Sequence, residues 1–282
     1  MQEAFPDWAG KHVQVMSVPG PDAKDGPMLV TVSPEQVVDI DEAHRVLVVT
    51  GSPSDDAGRP SATHAEPGNL GAVWFERRDA RWYVTARRDT ILWDGSTGYV
   101  GTVKALDLGP AHPAISIESG GCWQGSCVSF LQVLSFDRAT VRVVLPSVGV
   151  LSETRGGSDD CDWTMSDTRD PSTPVATGLS PDSCFDVQAK WHAESPPMAA
   201  GASTPVPSAS GSDPAASGPE PSASSPRAAA WPDIVVTYEG HEIVAKPPKG
   251  NLSVEAVEET LVMRYVGDHY VRVSGRDRTH AI

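Results

Sequence analysis

The sequence has no long apolar run, and this absence excludes a membrane-spanning helix. Uninterrupted apolar stretches such as residues 46–49 are only a few residues long, whereas a span needs about 20. Basic charge is also scarce, since 22 Lys and Arg face 37 Asp and Glu, for a net charge of −15. Nucleic acids and anionic lipid surfaces require clustered positive charge, so we expect neither as a partner. The acidity serves solubility alone or steers the protein toward a basic partner.

Motifs for nucleotide, metal and nucleophile chemistry are also missing. Residues 41–44 spell the Asp-Glu-Ala-His box of helicases, but the only Gly-Lys pair, Gly10-Lys11, lacks the surroundings of a phosphate-binding loop. No Gly-x-Ser-x-Gly elbow occurs, the eight histidines show no zinc spacing, and acidic residues 158–170 lack the order of a calcium loop. We therefore expect no cofactor, no metal ligands and no motif-encoded catalytic residue. A triad or carboxylate pair assembled in space stays an alternative.

The chain has only four cysteines, Cys122, Cys127, Cys161 and Cys184. Of three possible connectivities, 122–127 with 161–184 needs the least loop closure. A zinc site is the alternative, but the spacing from Cys161 to Cys184 is far wider than a zinc knuckle. Two disulfides predict an oxidising compartment, periplasmic or secreted. The first ten residues lack a charged and an apolar signal region, so we expect a cytosolic protein or one whose targeting segment was removed, and the cysteines favour the second.

Residues 113–136 contain the clearest structural signal. Ile115 and Ile117 alternate with polar residues, which predicts a half-buried strand, and a second apolar run follows from Val128 to Leu134. The model that fits is a β-hairpin whose tip is closed by a disulfide between Cys122 and Cys127.

The tip of this hairpin is the candidate binding site. It comprises Trp123, Gln124, Gly125 and Ser126. A tryptophan on a short, rigid, glycine-flanked loop is a good anchor for a protein partner, and it also stacks on sugar rings. The alternative is that Trp123 folds back onto its own hairpin.

About twelve short strands at intervals near 8–12 residues predict an all-β, antiparallel multi-hairpin fold, irregular propeller-like or a sandwich, with few or no helices. In the predicted hairpin 70–87, Trp74 or Phe75 with Trp82 or Val84 should point into the core. The best helix signal is the short stretch 251–260.

An abrupt change in composition divides the chain. Residues 195–230 are almost wholly Ser, Ala, Pro and Gly, which predicts a disordered insertion. Residues 5–194 form the predicted β domain. Residues 231–282 alone make a marginal domain, so we expect their strands to complete the same sheet, with a separate C-terminal module as the alternative.

Several short patterns resemble those of uncharacterised β-rich bacterial envelope proteins, periplasmic or lipoprotein. They lie within residues 60–282: Ser61-x-x-His64, Gly68-x-Leu70-Gly71, Arg81-Trp82, Gly120-Gly121, Gln124-Gly125, Cys184-Phe185-Asp186, Lys190-Trp191 and Arg264-Tyr265-x-Gly267-x-x-Tyr270. The resemblance implies a β-rich envelope protein and no activity. By class alone, the chain also looks like periplasmic immunity proteins and lysozyme inhibitors.

These features favour a non-enzymatic, envelope-located binding protein, an inhibitor or immunity protein for a basic cell-wall-degrading hydrolase. An envelope hydrolase acting on glycan or ester bonds is one alternative. A carbohydrate-binding or structural module is the other. Oligomeric state is left open.

Overall fold

The computed structural model describes residues 14–22, 24, 26–109, 112–154, 159–165, 175, 179–180, 183–195, 230–246 and 251–279. Almost all of its regular structure is β. In chain order the strands are β1 (Gln14–Pro19), β2 (Pro27–Asp41), β3 (His44–Pro53), β4 (Gly68–Arg78), β5 (Arg81–Asp94), β6 (Thr102–Asp107), β7 (Pro113–Trp123), β8 (Ser126–Phe136), β9 (Val141–Glu153), β10 (Phe185–Glu194), β11 (Asp233–Lys246), β12 (Asn251–Val266) and β13 (His269–Ser274). One short helix, α1 (Asp159–Thr164), lies between β9 and β10. The predicted all-β antiparallel class is confirmed.

The strands form two antiparallel sheets, and within each sheet every strand pairs with its neighbours in sequence. Strands β1 to β5 make a five-stranded sheet, and β6 to β13 make an eight-stranded sheet in the order β6-β7-β8-β9-β10-β11-β12-β13. Sheets of five and eight strands are not the repeated four-stranded blades of a propeller. Strands β11 to β13 belong to the same sheet as β10, so the chain after residue 230 adds directly to the strands before it.

The two sheets pack face to face through a shared apolar layer. The five-stranded sheet contributes Val46, Leu70 and Trp74, and the eight-stranded sheet contributes Ile115 and Leu134. The indole Nε1 of Trp74, only 1 % exposed, also donates to the carbonyl of Asp137, at 2.8 Å. Both sheets therefore have one face that excludes water against the other.

The eight-stranded sheet curls into a half-barrel around a second apolar core. Its concave face carries buried residues from β7 to β13, among them Leu131, Val187 and Tyr238. Residues 276–279 cross back from β13 to β9, where the amide of Gly149 donates to the Asp277 carboxylate at 2.9 Å. The phenol of Tyr238 donates to the carbonyl of the same glycine, at 3.0 Å, so this crossing holds the curl closed.

Strand β7 lies between the two cores, and this position corrects the prediction of a half-buried strand. Ile115 and Ile117 face the five-stranded sheet, whereas Ala114 faces the concave core. Ser116, on the same face as Ala114, is also buried. Alternation of apolar and polar residues indicates a strand, but it does not show that both faces are covered.

The stretch with the best helix signal, 251–260, is a strand, in keeping with the expectation of few or no helices. These residues begin β12, which pairs with β11 from Asn251 opposite Lys246 to Met263 opposite Ile234. The valines in this stretch have high strand propensity, and pairing with a neighbouring strand decides the outcome. No helix in the described part of the chain is long and apolar enough to cross a membrane.

The predicted insertion at 195–230 lies, except for its two end residues, outside the described residues. The domain boundaries at 194 and 231 stay predictions.

Candidate functional site

The hairpin tip is built as a two-residue turn on a disulfide. Strand β7 ends at Trp123 and β8 begins at Ser126, which leaves Gln124 and Gly125 as the turn. Both have positive φ, 50° and 85°, as a type I′ hairpin turn requires. Cys122 pairs directly with Cys127 across the strands, with a Cα–Cα distance of 4.0 Å, and the two form a disulfide. The prediction of a disulfide-closed hairpin is confirmed, and its strands extend farther toward the tip than the sequence indicated.

Trp123 points into solvent at this tip, with 56 % of the residue exposed. Its ring centroid lies 5.6 Å from that of His64, and the two planes are tilted by 33°. The Nε2 of His64 donates to the carbonyl of Cys122, at 2.7 Å. The indole of Trp123 thus packs on one side against an imidazole that is hydrogen-bonded to the hairpin backbone. The rest of the indole is exposed to solvent.

A second loop adjoins the tip and carries another exposed aromatic residue. The hydroxyl of Ser96 donates to the carbonyl of Gly120 at 2.9 Å, and the amide of Thr97 donates to the carbonyl of His64 at 3.1 Å. Tyr99, in the same loop, is 68 % exposed. We name Trp123, His64 and Tyr99 the tip patch.

Glycine is needed where this loop approaches β7. A Cβ on Gly121 would lie 2.9 Å from the hydroxyl oxygen of Ser96. The Gly120-Gly121 pair therefore lets the loop lie against the strand, in addition to leading into the turn.

A network around Asp94 fixes the base of the hairpin. The Asp94 carboxylate accepts hydrogen bonds from the hydroxyl of Ser119 at 2.9 Å, the amide of Gln132 at 2.5 Å and the backbone N–H of Gly95 at 2.7 Å. Asp94 ends β5, whereas Ser119 and Gln132 belong to β7 and β8. A carboxylate with three donors holds both strands against the five-stranded sheet, and such a satisfied network makes the hairpin rigid.

The second disulfide lies at the same end of the molecule. Cys161 and Cys184 are bonded, as predicted, and they pack with Met165 and Ile243 in a small apolar cluster. The adjacent Glu153 pairs with Cys127 across β8 and β9. Both disulfides therefore lie at the end of the molecule that carries the tip patch.

The described loops at this end carry more acidic than basic side chains. The loops concerned are residues 20–26, 54–67, 95–101, 120–127, 153–154 and 159–165. The side chains that the structure describes there include six acidic and two basic ones: Asp22, Asp55, Asp56, Glu66, Glu153 and Asp160, against Lys24 and Arg59. Each basic residue forms an ion pair with a neighbouring aspartate. The surface around the tip patch is therefore acidic.

The helicase-like residues 41–44 form the turn between β2 and β3 at the opposite end. The Asp41 carboxylate accepts from the backbone N–H of Ala43 at 2.8 Å and bonds to Nδ1 of His44 at 2.7 Å. The hydrogen bond from His44 is the main reason that the pKa of Asp41 falls to about 2, with the Ala43 bond and Arg138 adding to it. The motif is a turn stabilised by its own aspartate.

The described carboxyl groups whose pKa is shifted do not fit the role of a catalytic acid. The carboxyl groups with shifted pKa values, Asp41, Asp55, Glu76 and Asp268, are all lowered by a hydrogen-bonded histidine or arginine. A general acid needs a shift in the opposite direction. Burial raises the pKa of the Tyr238 and Tyr270 phenols, but both donate to backbone carbonyls within the core. In the described residues, no group of three His, Cys, Asp or Glu is placed to hold a metal ion.

Sequence reasoning identified Trp123 and its turn but missed His64 and Tyr99. The signals available for them were the Gly95–Gly98 turn and the Ser61-x-x-His64 pattern. Neither pattern indicates that its loop reaches the hairpin tip. Whether Trp123, Gln124, Gly125 and Ser126 bind a partner stays a prediction.

No protein-family model matches the chain, and the searches of curated proteins and of solved structures found no significant match to it either.

Proposed function

We propose that this is a non-enzymatic binding protein of the cell envelope, which inserts its tip patch into a concave site on a basic protein partner. The observation that carries the proposal is the exposed indole of Trp123 on a disulfide-closed, two-residue turn. Aromatic residues on rigid loops are frequent anchors of binding sites, where a partner surface covers them.

The rigidity of the hairpin favours this use. Binding loses affinity when loops and side chains must be ordered. Here the Cys122–Cys127 disulfide, the Asp94 network and the His64 bond fix the tip before any partner arrives. A tryptophan buries about 150–250 Å², and 56 % of Trp123 is still exposed. Covering that part contributes on the order of 2–3 kcal/mol at about 25 cal/mol per Å², before the entropic cost of association.

The acidic loops around the tip patch favour a partner with a basic surface. They attract a basic surface and raise the association rate, with less effect on the final affinity. Because exposed charges are screened by salt, the association rate should fall steeply as ionic strength rises.

An inhibitor or immunity protein for a basic cell-wall-degrading hydrolase fits this combination. A narrow, stiff hairpin matches the shape of an enzyme cleft, and the two disulfides suit an oxidising, periplasmic or secreted location. We expect the partner to share this periplasmic or secreted location.

The direct test measures binding to a basic lysozyme as the probe, and clearing of a bacterial cell-wall suspension as the enzyme readout. The expected result is tight binding at low salt and inhibition of clearing, both lost in Trp123→Ala. Tyr83→Ala is the matched control, because Tyr83 is an exposed tyrosine on the β4–β5 hairpin, at the other end of the molecule. If a panel of basic cell-wall hydrolases shows no Trp123-dependent binding at low salt, the proposal fails.

A carbohydrate ligand is the second candidate, and the pair of exposed aromatics, Trp123 and Tyr99, favours it. Aromatic faces stack on sugar rings without needing charge. A glycan array with the wild type and with Trp123→Ala discriminates between the two, because glycan binding should persist at high salt whereas steering by charge should not.

A further inference from the structure

The outer face of the five-stranded sheet has an apolar groove at the end opposite the tip patch. Its lining residues are Val37 on β2, Arg45 and Leu47 on β3, Phe75 on β4 and Trp82 on β5. We name these five residues the arginine–tryptophan groove.

The groove continues an apolar interior that the sheet forms by its own curvature. Leu47 belongs to a cluster of buried residues on this face, and Phe75 packs against that cluster. At the other end of the sheet β1 reaches β5, where the indole of Trp93 donates to the carbonyl of Pro19 at 3.0 Å. The curl is therefore closed near the tip patch and open at the groove.

Trp82 stays half-exposed in this opening. The expectation that Trp82 or Val84 enters the core is wrong, since Val84 is 37 % exposed. The guanidinium carbon of Arg45 lies 4.7 Å from the centroid of the Trp82 ring, and that of Arg77 lies 5.9 Å from it. Two guanidinium groups thus flank the Trp82 indole, which lines the apolar groove. Stacking on an aromatic ring orients an arginine so that it can also bind an anion.

The β4–β5 hairpin beside the groove is more basic than the whole chain. Residues 76–89 carry five arginines against three carboxylates, a net charge of +2 in a chain of net charge −15. Arg78 is paired with Glu76, and Arg87 with Asp89. Arg45 is paired with Asp39 at 2.5 Å. The guanidinium of Arg77 forms no ion pair with the described residues and lies beside the Trp82 ring. An anionic ligand therefore finds one guanidinium beside the groove that needs no displacement of a carboxylate.

The size of the groove argues against a cofactor. Its volume is about 230 Å³, below the roughly 300–1,000 Å³ of pockets that hold cofactors and drug-sized molecules. Such a volume accommodates one large apolar side chain.

The edge of β5 beside the groove suits an extended segment. Strand β5 is the last strand of its sheet. A strand with free N–H and C=O groups can add another strand from a partner.

We propose that the arginine–tryptophan groove binds an extended acidic segment of a partner protein. One large apolar side chain of that segment fills the space between Leu47, Phe75 and Trp82. A neighbouring carboxylate pairs with the guanidinium of Arg77, in the two-pronged geometry that arginine offers to carboxylates. This site is independent of the tip patch and has the opposite charge preference.

Fluorescence anisotropy with a short labelled peptide of alternating glutamate and leucine tests the proposal. The wild type should bind it, and Arg77→Glu should weaken binding by about tenfold or more. Arg77→Lys should recover part of the affinity because it restores charge without the planar fork. Arg142→Glu, a matched charge reversal at an exposed position on β9 of the other sheet, should leave the affinity unchanged.

Three results would overturn the proposal. One is equal binding of the glutamate–leucine peptide and of a lysine–leucine peptide. Another is equal affinity of Arg77→Glu and the wild type, with circular dichroism confirming that both are folded. The third is self-association of the protein that Arg77→Glu abolishes in sedimentation velocity runs, because the occupant would then be a second copy of this chain. A Trp82→Ala variant that loses peptide binding with an unchanged far-ultraviolet spectrum supports the assignment of the apolar contact.

Discussion

The imidazole of His64 joins the indole of Trp123 to the hairpin backbone. It lies 5.6 Å from the indole ring and donates from Nε2 to the carbonyl of Cys122 at 2.7 Å. The two residues that hold Trp123 in place are therefore a disulfide-bonded neighbour and a histidine from a loop 58 residues earlier in the chain.

His64→Ala should make the Trp123 side chain mobile without unfolding the protein, because it removes one ring contact and one exposed hydrogen bond. The expected result is a lower heteronuclear NOE at the Trp123 indole N–H, with unchanged backbone signals in the half-barrel. His64→Phe is the control that keeps the ring contact and loses the hydrogen bond. An indole N–H equally rigid in the wild type and in His64→Ala would show that the imidazole does not support Trp123.

The two disulfides should contribute unequally to the free energy of unfolding. Loop-closure entropy predicts a loss of roughly 3 kcal/mol for the Cys161→Ser/Cys184→Ser variant and roughly 2 kcal/mol for Cys122→Ser/Cys127→Ser, because the loops span 23 and 5 residues. Denaturant unfolding of both double variants measures the difference. The Cys122→Ser/Cys127→Ser variant should also lose Trp123-dependent partner binding, since its turn is no longer locked. A larger stability loss from the short loop would contradict the entropy argument.

Gln124 occupies a left-handed backbone conformation, with φ of 50°, which asparagine and glycine adopt at lower cost than glutamine. Gln124→Asn should therefore raise the free energy of unfolding by about 0.5 kcal/mol, because asparagine suits the first position of a type I′ turn. Gly125→Ala, at φ of 85°, should lower it by about 1 kcal/mol. Thermal unfolding of the two variants, side by side, checks both signs. Equal melting temperatures would rule out the turn geometry as a source of stability.

The Asp41 carboxyl group should titrate with a pKa of about 2 rather than at its usual 3.8. Because the folded state lowers this pKa, the stabilisation it provides is complete above pH 3.8 and is lost as the pH falls toward 2. Carbon-detected NMR titration of the side-chain carboxyl measures the pKa directly. In His44→Ala the pKa should move back toward 3.8, since the His44 bond is its main cause. A wild-type value near 3.8 would contradict the turn network.

Several features of the fold were predictable because they depend on residues close together in sequence. Within each sheet, strands consecutive in the chain pair with each other, so signals such as the predicted hairpin 70–87 and the 122/127 cysteine spacing describe real neighbours. The local disulfides were predictable for the same reason, since closing a short loop costs little conformational entropy. Local propensity was misleading at 251–260, where ten residue pairs with β11 outweigh a weak helix signal.

The sequence alone therefore determined an acidic, all-β, antiparallel protein with two local disulfides and a tryptophan at a hairpin tip. Tertiary structure decided which surfaces those elements present. It brought His64 to Trp123, covered both faces of β7, and left Trp82 between two guanidinium groups in an open groove. The physical reason is that hairpins and short disulfide loops form from contacts along the chain. Burial and exposure depend on how two curled sheets pack, which no local pattern specifies.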